Sequence, residues 1–300
     1  MGEILVIGSI AIDCVETPFG ANEEQLGGSA TYFSLAASLF AEVNLVGVIG
    51  KDFPQQHIEP FRKRNVNLSG LEVREGKTFR WKGKYFEDLN KRETLDLQLN
   101  VFSAFTPNIP DNLKNPDIVF LANIDPELQA DLINQIDSYS LIAADTMDHW
   151  IVSKREALLK LLGKIDILIL NDEEAKMLAE EQNVLLAGEK LLAGGLKAVI
   201  IKKGEHGALL VHKETIFTLP TYPVKSVVDP TGAGDTFAGG CLGYLAQNKS
   251  FGLKEMKEAV AYGVVMGSFC VERFGIERLM ELGPQDVEGR LRALRDAMSF

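Results

Sequence analysis

Val228-Asp229-Pro230-Thr231-Gly232-Ala233-Gly234-Asp235-Thr236-Phe237-Ala238-Gly239-Gly240 is the stretch on which the reading of this 300-residue chain turns. Pro230 and Thr231 end an extended segment. Gly232 and Gly234 permit backbone conformations closed to other residues. Behind them Phe237, Cys241, Tyr244 and Leu245 fall at i, i+4, i+7 and i+8, one face of a helix. A glycine turn therefore opens straight into a helix N-terminus. Its free amides and positive dipole end form an anion site. Gly239, Gly240 and Gly243 let that helix lie close to a neighbour. Asp235 stands in its first turn. Alone, it reads as an ordinary first-turn acid. Beside an anion-holding amide nest, it is also the base needed to take a proton from a hydroxyl attacking phosphorus.

Outward from this stretch, short apolar runs recur at Ile4–Ile7, Leu45–Ile49, Ile118–Leu121, Leu141–Ala144, Ile165–Leu170 and Ala198–Ile201. Helical patterns separate them, among them Leu128–Ile136, Glu173–Ala179 and Leu185–Leu192. Near-continuous apolar strands alternating with amphipathic helices predict an α/β fold, its parallel sheet covered on both faces. One segment breaks the rhythm. From Thr78 to Phe86 the odd positions Phe79, Trp81 and Tyr85 are aromatic, and the even positions Arg80, Lys82 and Lys84 are basic. Leu95, Leu97 and Leu99 then alternate with Asp96, Gln98 and Asn100. Period two with one polar face predicts half-buried antiparallel strands at roughly 72–100. An isolated hairpin is marginal in water, so its apolar face must cover something.

Lys plus Arg is 31 and Asp plus Glu is 42, so the net charge is 31 − 42 = −11. That argues against nucleic acid or an anionic membrane as partner, since both need a cationic surface. A phosphate ligand held by amides stays open. Cys14, Cys241 and Cys270 are far apart and odd in number, with no CxxC pair. Structural zinc and a disulfide framework are not expected, which fits the cytoplasm. The N-terminus reads as a first strand, and the uncharged stretch Gln25–Ala41 is short for a membrane span. Gly8-Ser9-Ile10-Ala11 does not supply G-x-G-x-x-G after the first strand, and no P-loop exists. His57, His149, His206 and His212 show no metal-ligand spacing.

Asp229 to Phe237 resembles the C-terminal signature of the ribokinase-like (PfkB) carbohydrate and nucleoside kinases, nearly completely over nine positions. The resemblance implies a three-layer α/β/α fold with a mostly parallel central sheet. It also implies one domain over residues 1–300, with a β lid formed by about 11–18 and 72–100. The activity implied is ATP-dependent transfer of the γ-phosphoryl group to a hydroxyl of a small sugar or nucleoside. Gly232, Ala233 and Gly234 correspond to the anion hole, and Asp235 to the general base. Asn171-Asp172-Glu173-Glu174 is similar to the family's Asn-x-x-Glu motif. That similarity assigns Asn171 to the nucleotide and Glu174 to Mg²⁺. Lys202-Lys203-Gly204-Glu205-His206-Gly207 resembles the nucleotide loop, so Lys203, Gly204 and Gly207 join Thr231 on the ATP side. Gly263 and Gly267 resemble the small residues that border the adenine.

Gly27-Gly28-Ser29-Ala30 resembles the N-terminal signature, and Gly50 with Asp52 the strand-Gly-Asp pattern after it. The acceptor residues implied are Asp13, Gly27, Gly28, Ser29 and Tyr32. A carboxylate suits vicinal hydroxyls because it accepts two hydrogen bonds. ATP and Mg²⁺ are the implied cofactors. Some members also bind a monovalent cation near the anion hole, and many dimerise through their lids. Two departures fall on the acceptor side. Tyr32 stands where many sugar kinases have Asn, and Asp145-Thr146-Met147-Asp148-His149-Trp150 replaces an Asp-x-Asn-x-Arg pattern. Tyr32, Trp81 or Phe79 could stack on a base or a sugar ring, or belong to the core. The alternatives are an adenosine-like nucleoside kinase and a non-catalytic sensor. The sensor would not need Asp235 or Glu174.

Overall fold

The computed structural model describes residues 1–299. Its strands are β1 (Glu3–Ile7), β2 (Ala11–Thr17), β3 (Gly20–Gly27), β4 (Glu42–Gly50), β5 (Asn67–Arg74), β6 (Phe79–Tyr85) and β7 (Arg92–Gln98), then β8 (Ile118–Leu121), β9 (Leu141–Asp145), β10 (Ile167–Asn171), β11 (Ala198–Lys202), β12 (Ala208–His212) and β13 (Thr215–Leu219). Nine form one sheet in the order β13-β12-β11-β10-β9-β8-β1-β4-β5. Neighbours from β5 to β11 run parallel, and β12 and β13 close the far edge antiparallel.

Side chains alternate across this sheet into two apolar layers. Ile4 and Val6 of β1 enter one, Leu5 and Ile7 the other. The helices Ala233–Asn248 and Leu253–Cys270 cover the first layer through Phe237, Cys241, Leu245 and Val260. Helices carrying Leu158, Ala175, Leu178 and Leu191 cover the second. Each fully buried Leu or Ile contributes about 1.5–3 kcal/mol of transfer free energy, which is why the strands read as uninterrupted apolar runs. The three-layer α/β/α expectation holds. The glycines after the motif pack as expected: a Cβ on Gly239 would stand 2.6 Å from the Phe33 carbonyl, and one on Gly240 2.8 Å from that of Tyr262.

The second sheet has the order β3-β2-β6-β7. It departs from the sequence reading in four respects. The β2 hairpin continues through β3, which was not anticipated; Glu23 and Glu24 leave no apolar run there, and Glu24 has φ 57°. Residues 72–74 belong to β5 of the large sheet, so the second segment of the lid begins at Phe79, not at 72. The pairing is not all antiparallel: β2 and β6 run parallel. Finally, β7 is exposed along its length, with Leu95 at 45% and Leu97 at 53%. It is the outer strand, and nothing among the described residues covers it.

Alternation in β6 does hold. Trp81, Gly83 and Tyr85 share one face, which Tyr85 presses against the motif: the Thr231 hydroxyl donates to the Tyr85 hydroxyl at 3.3 Å. Arg80, Lys82 and Lys84 lie on the opposite face. Arg80 pairs with Glu24 and Asp52, and Lys84 with Glu16. Asp52 also accepts from the Thr78 amide at 2.7 Å and the Thr78 hydroxyl at 2.8 Å, fixing the root of the lid. Among the described residues, no helix is long and apolar enough to cross a membrane.

Candidate active site

The segment between β13 and the helix Ala233–Asn248 has no regular structure and delivers the motif. Buried Asp229 organises it. Its carboxylate accepts from the Thr231 amide at 2.9 Å, the Gly275 amide at 3.0 Å and the Gln25 side chain at 3.3 Å. Gly232 then turns at φ 73°, ψ 2°, in the left-handed region. No side chain caps the helix that follows. Asp235 is therefore not its cap, and the first-turn amides keep their anion-binding capacity. Within the nest the Ala233 amide already donates to the Pro230 carbonyl at 3.2 Å and the Thr236 amide to the Gly232 carbonyl at 2.8 Å, which leaves the amides of Gly234 and Asp235 between them to the ligand.

Charged groups converge on this terminus. Burial pushes the Asp235 carboxyl up to about 7, with Asp145 adding to the shift and Lys202 and Arg92 opposing it. The Lys202 ammonium lies 3.3 Å from Asp145 and 3.0 Å from where a Gly234 Cβ would stand. Arg92, on β7, brings its charge towards Tyr85, Asp148 and Glu174. Neither Lys202 nor Arg92 was singled out from the sequence as part of the site. Lys203 was, but it is Lys202 that lines the cavity beside the motif.

On the acceptor side, a Cβ on Gly27 would fall 1.9 Å from Asp13 Oδ2, so the carboxylate lies directly on that glycine. Burial, Asp229 and Asp235 raise Asp13 to about 8, against a hydrogen bond from the Gly28 amide. Gly28 has φ 97°, and a Cβ there would meet the Ser9 carbonyl at 2.4 Å. Two expected contacts come out differently. Ser29 is spent on structure: its hydroxyl is 3.0 Å from that of Ser9. Tyr32 is 1% exposed and packs its ring beneath Gly232, so no stacking face is offered to an acceptor.

On the other side of the motif lies a cavity of about 750 Å³, lined among others by Gly204, Gly207, Tyr222, Ala233, Gly234 and Gly267. Three of the expected nucleotide residues therefore line it. Gly263 does not: a Cβ there would meet Cys241 Sγ at 2.4 Å, so it serves helix packing. Asn171 and Glu174 form a reciprocal capping box, each side chain accepting from the other's amide at 2.8 Å. Tyr222, Ser268 and the lid turn at Glu87–Asn90 also line the cavity and carry no sequence signal of their own.

Residues 1–281 match the model of the pfkB family of carbohydrate kinases. The chain belongs to that family. A cytidine kinase of Thermococcus kodakarensis is 28% identical over 281 residues, spanning 92% of this chain and 98% of the relative. A ribokinase of Lactococcus lactis is 25% identical, spanning 92% and 93%. The Burkholderia thailandensis nucleoside kinase, solved with inosine, superposes with a TM-score of 0.81 over 97% of each chain at 18% identity, a likeness of fold. This pfkB-family kinase is an ATP-dependent phosphotransferase acting on a hydroxyl of a sugar or nucleoside.

Asp13 gives this kinase a testable cost. A carboxyl raised from 3.8 to about 8 binds more protons folded than unfolded. Its contribution to stability therefore falls as pH rises through that window. Asp13→Asn removes the penalty. Its gain in Tm over wild type should be larger at pH 9 than at pH 5, roughly following the ionisation of the buried acid. Thermal melts at the two pH values check this; an equal gain at both would refute it.

Proposed function

We propose that the acceptor of this kinase is a nucleoside. One observation carries the reading. Asp13 on β2 is the register partner of Trp81 on β6, and Trp81 that of Leu97 on β7, so all three share one face of the lid. It is the face that Tyr85 holds against the motif. A carboxyl for hydroxyls beside an indole and an exposed leucine suits a molecule with a diol at one end and a flat apolar ring at the other. A bare sugar has no such ring. The name of the cytidine kinase relative is consistent with this choice.

In this reading Asp13 accepts hydrogen bonds from the ribose hydroxyls, and Trp81 stacks on the base. The free hydroxyl points at Asp235, which takes its proton as the oxygen attacks the γ-phosphorus. The amides of Gly234 and Asp235, at the Gly232-Ala233-Gly234 turn, face the charge that spreads over the phosphoryl oxygens. Such preorganised donors are each worth ~10²–10³ in rate. ATP lies in the cavity bordered by Gly204, Gly207 and Gly267. Closure of the lid excludes water, which limits wasteful hydrolysis.

Mg²⁺ fits the donor set, since an ion carried by phosphates needs only one or two carboxylates from the protein. Among the described residues no three His, Cys, Asp or Glu side chains group into a protein-only cage. Glu174 would hold the ion, with Asp145 across Lys202. Burial raises Glu174 to about 7, with Asp145 adding to the shift, against Lys202 and Asn171, and a divalent cation would return it to its charged form. When bound, the ion neutralises phosphate charge.

The test is a panel of nucleosides and sugars with ATP and Mg²⁺, scored by ADP release and by detection of the phosphorylated product. Turnover of one or more nucleosides above every sugar is expected, with Trp81→Ala raising the acceptor KM. A sugar as the best acceptor would overturn the nucleoside reading. We further propose a homodimer through the lids, because β7 leaves an unpaired edge bearing Leu95 and Leu97. Sedimentation at micromolar concentration should show it, and a monomer there would refute it.

A further inference from the structure

We infer that Lys202 is a catalytic residue, the cation that binds the γ-phosphoryl group at the mouth of the anion hole. The inference rests on the phosphoryl-transfer reading above. Lys202 is the last residue of β11, at the carboxyl edge of the parallel sheet, where ligands of such sheets bind. Its ammonium stands 3.0 Å from the point a Gly234 Cβ would occupy, against the backbone of the helix N-terminus. Glycine at 234 leaves room for both the lysine and a ligand.

Charge supplies the second argument. The cavity is lined by Glu87, Asp88 and Glu205, and Lys202 is the only cationic side chain that lines it among the described residues. A triphosphate entering that cavity meets one side-chain cation, located where its last phosphate would reach the motif. The ammonium has one hydrogen-bonding partner, Asp145 at 3.3 Å, a long contact for a charged pair. It has three donors, so a phosphoryl oxygen can be added without breaking that pair.

The step balances without any change at the lysine. The acceptor oxygen forms its bond to the γ-phosphorus and gives its proton to Asp235. The bond from that phosphorus to the β–γ bridging oxygen breaks, and ADP leaves with the electron pair. Lys202 holds the equatorial oxygens throughout. A group that touches only the γ-phosphate makes a specific signature: it matters for ATP and not for ADP. A lysine needed only to neutralise buried acids would disturb both nucleotides alike.

The experiment compares wild type with Lys202→Met and Lys202→Arg. It measures kcat, and the dissociation constants of Mg·ADP and of Mg·ATP's non-hydrolysable imido analogue. For Lys202→Met we expect kcat to fall by ~10²-fold or more and the analogue to bind about tenfold more weakly. ADP affinity should stay within about twofold, and Lys202→Arg should restore part of kcat. A smaller loss of kcat, or a loss of affinity shared by ADP, overturns the inference. If Lys202→Met does not fold, Lys202→Gln takes its place with the same criteria. Asp235→Asn, assayed in parallel, separates the two claims. If it is inactive while Lys202→Met turns over normally, only the lysine assignment fails. If it turns over normally, the assignment of Asp235 as base fails, and if wild type phosphorylates no acceptor, the phosphoryl-transfer reading itself fails.

Discussion

Asp235→Asn is expected to fold, to bind ATP with near wild-type affinity, and to lose ~10³–10⁴-fold in kcat, the upper range for removal of a general base. The substitution keeps the size and hydrogen-bonding outline of the side chain, so the first turn of the helix Ala233–Asn248 is not disturbed. What disappears is the lone pair basic enough to take the hydroxyl proton. The pH profile carries the same assignment. Burial holds this carboxyl at about 7, so it is mostly protonated, and useless as a base, at lower pH. Wild-type kcat/KM should therefore fall about tenfold per pH unit below that point. The residual activity of the variant should lack this limb. Because ionising Asp235 costs stability in the folded protein, Asp235→Asn should also melt no lower than wild type at pH 8. Steady-state kinetics across roughly pH 5.5 to 9, with a melt on the same samples, decide the matter. Turnover within about tenfold of wild type would remove Asp235 from the chemistry.

Gly232→Ala is the second large effect. The new methyl would lie 2.3 Å from Tyr32 Cγ and 2.4 Å from both Cδ atoms, on a residue with φ 73°. Tyr32 is 1% exposed within the helix Ser29–Ala37, so its ring cannot withdraw. The left-handed backbone alone costs an alanine about 1 kcal/mol, and overpacking a filled core adds about 1–3 kcal/mol. The turn must shift, and with it the amides and Asp235. A displacement of about 1 Å can cost ~10²-fold in rate. The expected result is a lower Tm with kcat reduced ~10²-fold or more. The double variant Gly232→Ala/Tyr32→Leu should recover part of both, because the smaller side chain vacates the space. If the single variant shows neither loss, the turn is more plastic than its packing implies. If Tyr32→Leu gives no recovery, the damage comes from the backbone alone.

The Tyr32 case shows where the sequence reading stopped. Position 32 carries an aromatic where many sugar kinases have a polar residue, and from the sequence it could stack on a base. Folding places it under the motif from the first turn of the helix Ser29–Ala37, far away along the chain, and burial leaves it no face for a ligand. The Ser29 hydroxyl is likewise taken up inside the fold, by that of Ser9. Asn171 and Glu174 face each other as a capping box that their spacing alone already permits. The acidic outer strand of the β2 hairpin carried no apolar alternation and so was not visible.

The sequence by itself determined six parallel strands of the large sheet (β1, β4, β8, β9, β10 and β11), the glycine turn, the helix behind it and the acid in its first turn, but not β5, β12 or β13 at its edges. These are local: apolar runs, period and backbone freedom are properties of neighbours in the chain. It also determined the kinase family, since the motif is contiguous. Tertiary structure alone decided which face of the lid meets the motif, and so that Trp81 stands beside Asp13 while Arg80 and Lys84 pair on the far side. It alone decided that Lys202 rather than Lys203 lines the cavity beside the motif. Along a strand adjacent side chains point to opposite sides, and only the packing of β11 against its neighbours settles which of two consecutive lysines faces Gly234.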